Sequence, residues 1–272
     1  MSIERGEGAK PIGRISPVYA PAASEELLDG GAALRRAFQT VPGRTVARDT
    51  RIAAADEDEA PIFLINRGTA YRACTLPDGR RVILDILLPG DIAGLEQVVM
   101  GRSNQETCAA CELSYRVLGA AALRDLMRDH AVALRVLALM SETRWRIDRH
   151  LAAVCRLDSR ERIAAFVLSI HDRLRRRDLI SRATFNLPLT QEQIADYLGL
   201  TMVHVNRTLR RMREEKLLLF DRQVVIILDL ERMRELVQGL PTVAEWPEPI
   251  TPPRPSAQRL SEAFAEVTRR DR

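Results

Sequence analysis

Lysine is almost missing from this chain: Lys10 and Lys216 are the only two, so arginine supplies nearly all the positive charge. A GC-rich genome explains that bias, although arginine also suits phosphate and guanine contacts. No apolar run approaches the roughly 18 residues that read as a membrane helix. The first residues lack the charged-then-apolar pattern of an export signal. A soluble, cytoplasmic protein is therefore expected. The four cysteines, Cys74, Cys108, Cys111 and Cys155, are unevenly spread, and without an export signal they are expected to stay reduced. Also absent are a His-Glu-x-x-His helix, a Walker loop, a nucleophile elbow and a paired-carboxylate context. An enzyme is excluded on that ground, and no cofactor is expected. Cys108 and Cys111 form a Cys-x-x-Cys, but residues three apart in an extended strand point to opposite faces, so no metal site is expected. The formal net charge of +4 is compatible with a nucleic-acid partner without identifying one.

What is present is concentrated between Leu187 and Leu230. Thr190 and Gln193 have the spacing of a capping box, and Ile194, Ala195 and Leu198 follow at helical intervals. Gly199 suits the left-handed turn that ends a helix. Thr201 is the next N-cap candidate. Val205, Leu209 and Met212 then form an apolar stripe that would face the first helix. The opposite face carries Met202, Val203, Asn206, Arg207, Arg210 and Arg211. Two short helices with a tight turn form a helix-turn-helix, and an Asn/Arg front suits adenine and guanine edges in the major groove. The run Leu217–Phe220, the turn Asp221-Arg222-Gln223 and the run Val224–Leu228 read as a β-hairpin, which makes the unit a winged helix-turn-helix.

The rest of the chain divides around it. Residues 1–22 mix Gly, Pro and Ser without periodicity and read as a flexible arm. Glu25–Phe38 has a helical pattern. From Val41 to Leu118 short β-prone segments alternate with turn residues, the texture of a sheet sandwich or barrel. Strands are expected at Pro61–Ile65, Thr69–Leu76, Arg81–Leu87 and Glu106–Val117. A long helix follows, Ala121–Val154, with Ala133, Leu137, Met140, Arg144, Ile147, Leu151 and Val154 in a heptad a/d register that suits a dimer seam; packing on its own domain is the alternative. Leu157-Asp158-Ser159 breaks that helix as a hinge, and Asp158 or Ser159 caps a new helix carrying Ile163, Phe166, Val167 and Ile170. Asp229 caps a short helix beginning at Leu230. Residues 239–272 form a Pro-rich tail, extended or disordered over 239–255, with Leu260, Phe264 and Val267 on one face of a final short helix that is expected to fray. The working boundaries are a roll over 23–120, a dimerisation helix over 121–155 and a DNA-binding domain over 156–238. The fold class is α+β.

This order of parts resembles the Crp/Fnr family of bacterial transcription regulators, from about Leu27 to Val237. The likeness rests on the hinge Leu157–Ile163, the winged unit, and the stretch Leu-Pro-Gly-Asp-Ile-Ala-Gly-Leu-Glu (Leu88 to Glu96). It implies a β-roll of the cyclic-nucleotide-binding, jelly-roll type (a double-stranded β-helix). It also implies a homodimer on double-stranded DNA, with a recognition helix over 201–214 in each half of a near-palindromic site. RNA polymerase is a further candidate partner. By that likeness Arg207 and Asn206, joined by His204 or Val203, read bases. Thr190, Gln191, Thr201, Arg210, Arg211 and Arg222 hold phosphates. An effector pocket would involve Gly90, Gly94, Glu96, Asn104 and Asp148. The departures are informative. The Arg-Ser or Arg-Thr that grips a cyclic phosphate is broken here, and Ile147-Asp148 stands where the long helix meets the purine. A carboxylate facing a phosphate argues against cyclic AMP. The N-terminal arm holds no cysteine for an iron–sulfur cluster, and the four histidines suggest no haem ligation. A dimer without an effector is the main reading; gating by redox, haem or another small molecule is the alternative. Cys155, beside the hinge, is expected to be a buried inert thiol, with oxidation there as the competing reading. Val203 replaces the family's base-reading Glu, so an unusual half-site is expected.

Overall fold

The structure, a computed structural model, describes residues 21–54, 61–101, 105–238 and 240. The arm and the Pro-rich tail lie almost wholly outside these residues, as does Asn104. Helix α1 (Pro21–Thr40) leads into a roll of eight strands: β1 (Gly43–Val46), β2 (Arg51–Ala53), β3 (Ile62–Arg67), β4 (Ala70–Thr75), β5 (Arg81–Leu87), β6 (Ile92–Ala93), β7 (Glu106–Ala109) and β8 (Leu113–Leu118). They form two antiparallel sheets, ordered β1-β8-β3-β6 and β2-β7-β4-β5. A short helix, α2 (Gln97–Met100), sits between β6 and β7. The expected strand Glu106–Val117 is thus two strands, and Cys111 lies in the turn between them. Its sulfur lies 3.2 Å from the Thr69 backbone N–H.

Strand alternation assigns the faces. On β3, Phe63 and Ile65 enter the interior between the sheets with Ala70, Leu87, Leu113 and Tyr115. Ile62 and Leu64 point the other way, onto Leu34 and Phe38 of α1 and onto the helices after the roll. Both faces of β3 are covered, which is why its sequence reads as a continuous apolar run. The outer face of the second sheet is also covered. Tyr71, Ala73, Ile83, Ile86 and Leu88 pack into the same core as Phe166, Ile170, Phe185, Leu187 and Ile194 of the C-terminal domain.

The expected single helix from Ala121 to Val154 is two: α3 (Ala120–Leu126) and α4 (His130–Arg156). Asp129 causes the break. Its backbone is extended, and its carboxylate accepts from the Ala131 N–H at 2.8 Å, so a new helix starts there. At that start α1 comes close. A Cβ on Gly30 would lie 2.0 Å from the Ala131 carbonyl oxygen, so only glycine fits. The hinge is as expected. Leu157 is extended, and Asp158 caps α5 (Ser159–Arg176) in a full capping box with Glu161. Arg162 donates to Leu157 O at 2.9 Å across the joint.

The C-terminal domain contains β9 (Thr184–Asn186), α6 (Gln191–Leu198), α7 (Met202–Glu214), β10 (Leu218–Asp221), β11 (Val224–Ile227) and α8 (Leu230–Glu235). The two-stranded wing of the sequence reading has a third strand, in the order β10-β11-β9. The hairpin tip is Arg222-Gln223, both at positive φ, the backbone of a two-residue turn that matches strand twist.

Candidate nucleic-acid interface

Local sequence builds the reading head. Thr190 and Gln193 form the capping box of α6, Gly199 turns the chain at φ 63°, and Thr201 caps α7. Val205 and Met212 are fully buried on the back of α7, and Leu209 packs beside them. Thr208 donates to Ser159 Oγ at 3.1 Å, fastening α7 to the start of α5.

The front of α7 is open. Val203 is 69% exposed, and His204, Asn206 and Arg207 are also exposed. Gln191, Val203, Asn206, Arg207, Arg210 and Arg213 line a groove of about 710 Å³ whose far wall is Phe220 and Asp221 of the wing. Of the expected base readers, Val203, Asn206 and Arg207 are brought together on the groove, and His204 is the exception. His204 Nδ1 lies 3.0 Å from the Thr201 hydroxyl, which ties the ring to the helix start. It also lies outside the groove lining.

The expected phosphate contacts divide. Thr190 and Thr201 use their hydroxyl oxygens as caps, accepting from backbone N–H groups. Arg210 is held by Glu214 at 3.0 Å and Arg211 by Glu215 at 2.9 Å. Glu215 also receives Arg160 at 2.7 Å; burial raises its carboxyl, and Arg211 and Arg160 together outweigh that and hold it below the ordinary value. Arg213 was not among the expected residues. It lines the groove and has no acidic partner among the described residues, as is true of Arg207. Its place on the front of α7 was legible, since Val203, Asn206, Arg210 and Arg213 recur at helical spacing.

The residues expected in a dimer seam are placed differently along α4. Leu137 and Leu151 are 57% and 58% exposed, and Met140 and Ile147 are open to a lesser degree. Val154 is different: it turns toward the α6–α7 turn, where its Cγ1 would lie 3.6 Å from a Cβ on Gly199. Ala133 is half-buried. Arg144 is bound by Asp148 at 2.8 Å on the exposed side.

A cavity of about 190 Å³ lies between the roll and α4, lined by Arg72, Asp85, Glu96, Gln105, Met140 and Arg144 among others. Of the expected set, Glu96 lines it and Gly94 lines an adjoining recess. Gly90 and Asp148 do not line it: Gly90 donates to Ile65 O in a turn, and Asp148 is turned to Arg144. Arg72 donates to Glu96 at 2.7 Å within the cavity wall. The cysteines are separate from it. Burial and then Glu106 push the Cys108 thiol up, so it stays protonated. Cys155 is exposed, not buried as expected; α4 ends beside it and leaves it on the solvent side. Among the described residues no group of three His, Cys, Asp or Glu could hold a metal, and no helix is long and apolar enough to cross a membrane.

Comparison with known proteins agrees with this arrangement. Residues 161–236 match the model of the Crp-like helix-turn-helix domain. The nitrogen fixation regulation protein FixK of Rhizobium meliloti is 30% identical over 177 residues, spanning 64% of this chain and 77% of that protein. The chain belongs to the Crp/Fnr family of transcription regulators. Within that family it is also similar to the transcriptional activatory protein AadR of Rhodopseudomonas palustris, 29% identical over 66% of this chain and 75% of AadR. The structure of FixK2 from Bradyrhizobium japonicum superposes with a TM-score of 0.66 at 26% identity, covering 75% of this chain and 99% of FixK2. As a Crp/Fnr protein the chain is a DNA-binding transcription regulator and not an enzyme.

Proposed function

We propose that two copies of this chain pair along the exposed seam of α4 and set one α7 each into successive major grooves of a two-fold symmetric site. The working division is a roll to residue 120, a paired helix to 155 and a reading head over 156–238. The observation that carries the reading is the contrast across α7: a back with Val205 and Met212 fully buried, and a front with Val203, Asn206 and Arg207 open. Arg207 would read a guanine, Asn206 an adenine, and Val203 a thymine methyl. Arg213, Gln191 and the wing-tip Arg222 would meet phosphates and position the head. A cytoplasmic setting and contact with RNA polymerase on the promoter complete the reading. Selection of bound duplexes from a random pool tests it. The expected product is a palindrome with half-sites about one helical turn apart; a pool without enrichment rejects it.

A second reading, gating by a small molecule, is favoured by the cavity at the roll–α4 boundary. Cyclic AMP fits it poorly, because Arg72 is already engaged by Glu96 and Arg144 by Asp148. Calorimetry with cyclic AMP is expected to give no binding heat.

A further inference from the structure

The reading head is joined to α4 only through the extended residues Leu157 and Asp158 as far as the backbone is concerned. Two sets of contacts lie at that end. Arg162 donates to Leu157 O and Leu198 O, and His150 stacks on Tyr197 with ring centroids 4.0 Å apart. Both lie near the pivot, where they have little leverage on the angle of the head.

A third set lies at the far end of the lever. Arg173 and Arg177 stand roughly 20 Å or more along α5 from the capping Asp158, at ~1.5 Å per residue. There they converge on one carboxylate of the roll. Asp91 receives Arg173 on one oxygen and Arg177 on the other, the latter at 2.5 Å. All three side chains are 5% exposed. The same guanidinium groups donate to roll carbonyls, Arg173 to Ile86 O at 3.0 Å and Arg177 to Pro89 O at 2.8 Å. The Leu88 N–H donates to Asp91 as well, which fixes the carboxylate to its own turn. At the rim, Arg81 of β5 pairs with Asp196 of α6 at 2.7 Å. The roll thus meets the helix-turn-helix domain itself, and the face of α7 that would read DNA stays uncovered.

A buried ion pair adds little net stability, since desolvation offsets much of its attraction. Its geometric demand is strict, because each partner must be met or left buried and uncompensated. Resting on the dimeric reading above, we propose that Asp91 is a positioning residue for DNA recognition: with Arg173, Arg177 and the Arg81–Asp196 pair it latches the reading head to the roll at a fixed angle. Two heads held rigidly on one dimer meet their half-sites at one spacing. The second contact is then intramolecular, with a high effective concentration. Heads that swivel would lose that advantage while each kept its own base contacts.

The test measures binding of the full chain to four duplexes: the selected palindrome, two palindromes with the half-sites moved one base pair closer or one farther, and a single half-site. The variants are Asp91→Asn, Arg81→Asp, and Arg81→Asp combined with Asp196→Arg, each checked for a cooperative melt. Asp91→Asn and Arg81→Asp are expected to lower the palindrome-to-half-site affinity ratio by on the order of tenfold or more and to flatten the spacing preference, with single half-site affinity unchanged. The reversed pair is expected to restore both. General destabilisation would not change spacing preference in a folded protein. If Asp91→Asn does not fold, the Arg81 variants decide. Folded variants with the parent's ratio and spacing preference overturn the latch. A parent chain that binds palindrome and half-site equally overturns the dimeric reading beneath it.

Discussion

Arg207 and Arg213 share the open front of α7, and neither has an acidic partner among the described residues. Arg210 and Arg211 are engaged by Glu214 and Glu215, so the four cations are unequal before DNA arrives. Arg213→Ala is expected to weaken binding to all duplexes about equally and to lower the salt slope by about 1. Arg211→Ala is expected to change the slope less, because Glu215 must release Arg211 before a phosphate can take it. Titrations between low and moderate salt check both; equal slopes for the two variants would remove Arg213 from the interface.

Arg207 carries a different expectation. Its replacement by Ala is expected to cost about 1–3 kcal/mol on the selected site and to relax choice at one base pair. Repeating the selection with the variant reads this directly. A variant that keeps the parent's preference at every position means Arg207 reads no base.

The seam predicts its own disruption. Leu137 and Leu151 project from α4 more than half exposed. Hiding a leucine is worth roughly 1.5–3 kcal/mol, and two-fold symmetry doubles the effect. Leu151→Glu is expected to give a folded monomer by sedimentation, with the parent's circular dichroism. A dimer that survives both Leu137→Glu and Leu151→Glu would put the contact elsewhere.

The hinge predicts a pH dependence. Burial, helped by Arg162, pushes His150 below its ordinary value of 6.5, against Tyr197 and Asp85. The folded state therefore binds the proton more weakly than the unfolded chain does. The stability tied to neutral His150 is complete above 6.5 and is lost as pH falls through that value toward the folded one. Asp85 and Asp91 are held below the ordinary carboxylate value by neighbouring arginines despite their burial, so they stay charged over this range. Urea midpoints at pH 7.5 and 5.5 are expected to differ for the parent more than for His150→Phe, which keeps a ring on Tyr197. An identical difference in the two proteins would assign the effect to another group.

The helix-turn-helix was legible because its signals are local: Thr190 with Gln193, then Gly199, then Thr201. Strand β9 was not, since its three residues, Thr184–Asn186, are strand only by pairing with Val224–Ile226. The break before α4 was missed because helical periodicity runs on through Asp129; the capping carboxylate was the signal available. Arg213 lay on a legible face, but what sets it apart is the pairing of its neighbours. The Asp91 latch joins residues far apart in sequence, and no spacing rule connects them. The exposure of Cys155 and the turning of Val154 toward the α6–α7 turn likewise depend on how α4 ends against α5 and α6.

The central claim is that two chains act on one site. Sedimentation of the protein with a duplex bearing the selected palindrome measures it. The account predicts two chains per duplex, and an affinity loss on the order of a hundredfold when one half-site is scrambled. One chain per duplex, bound as tightly to the scrambled site as to the intact one, would contradict it.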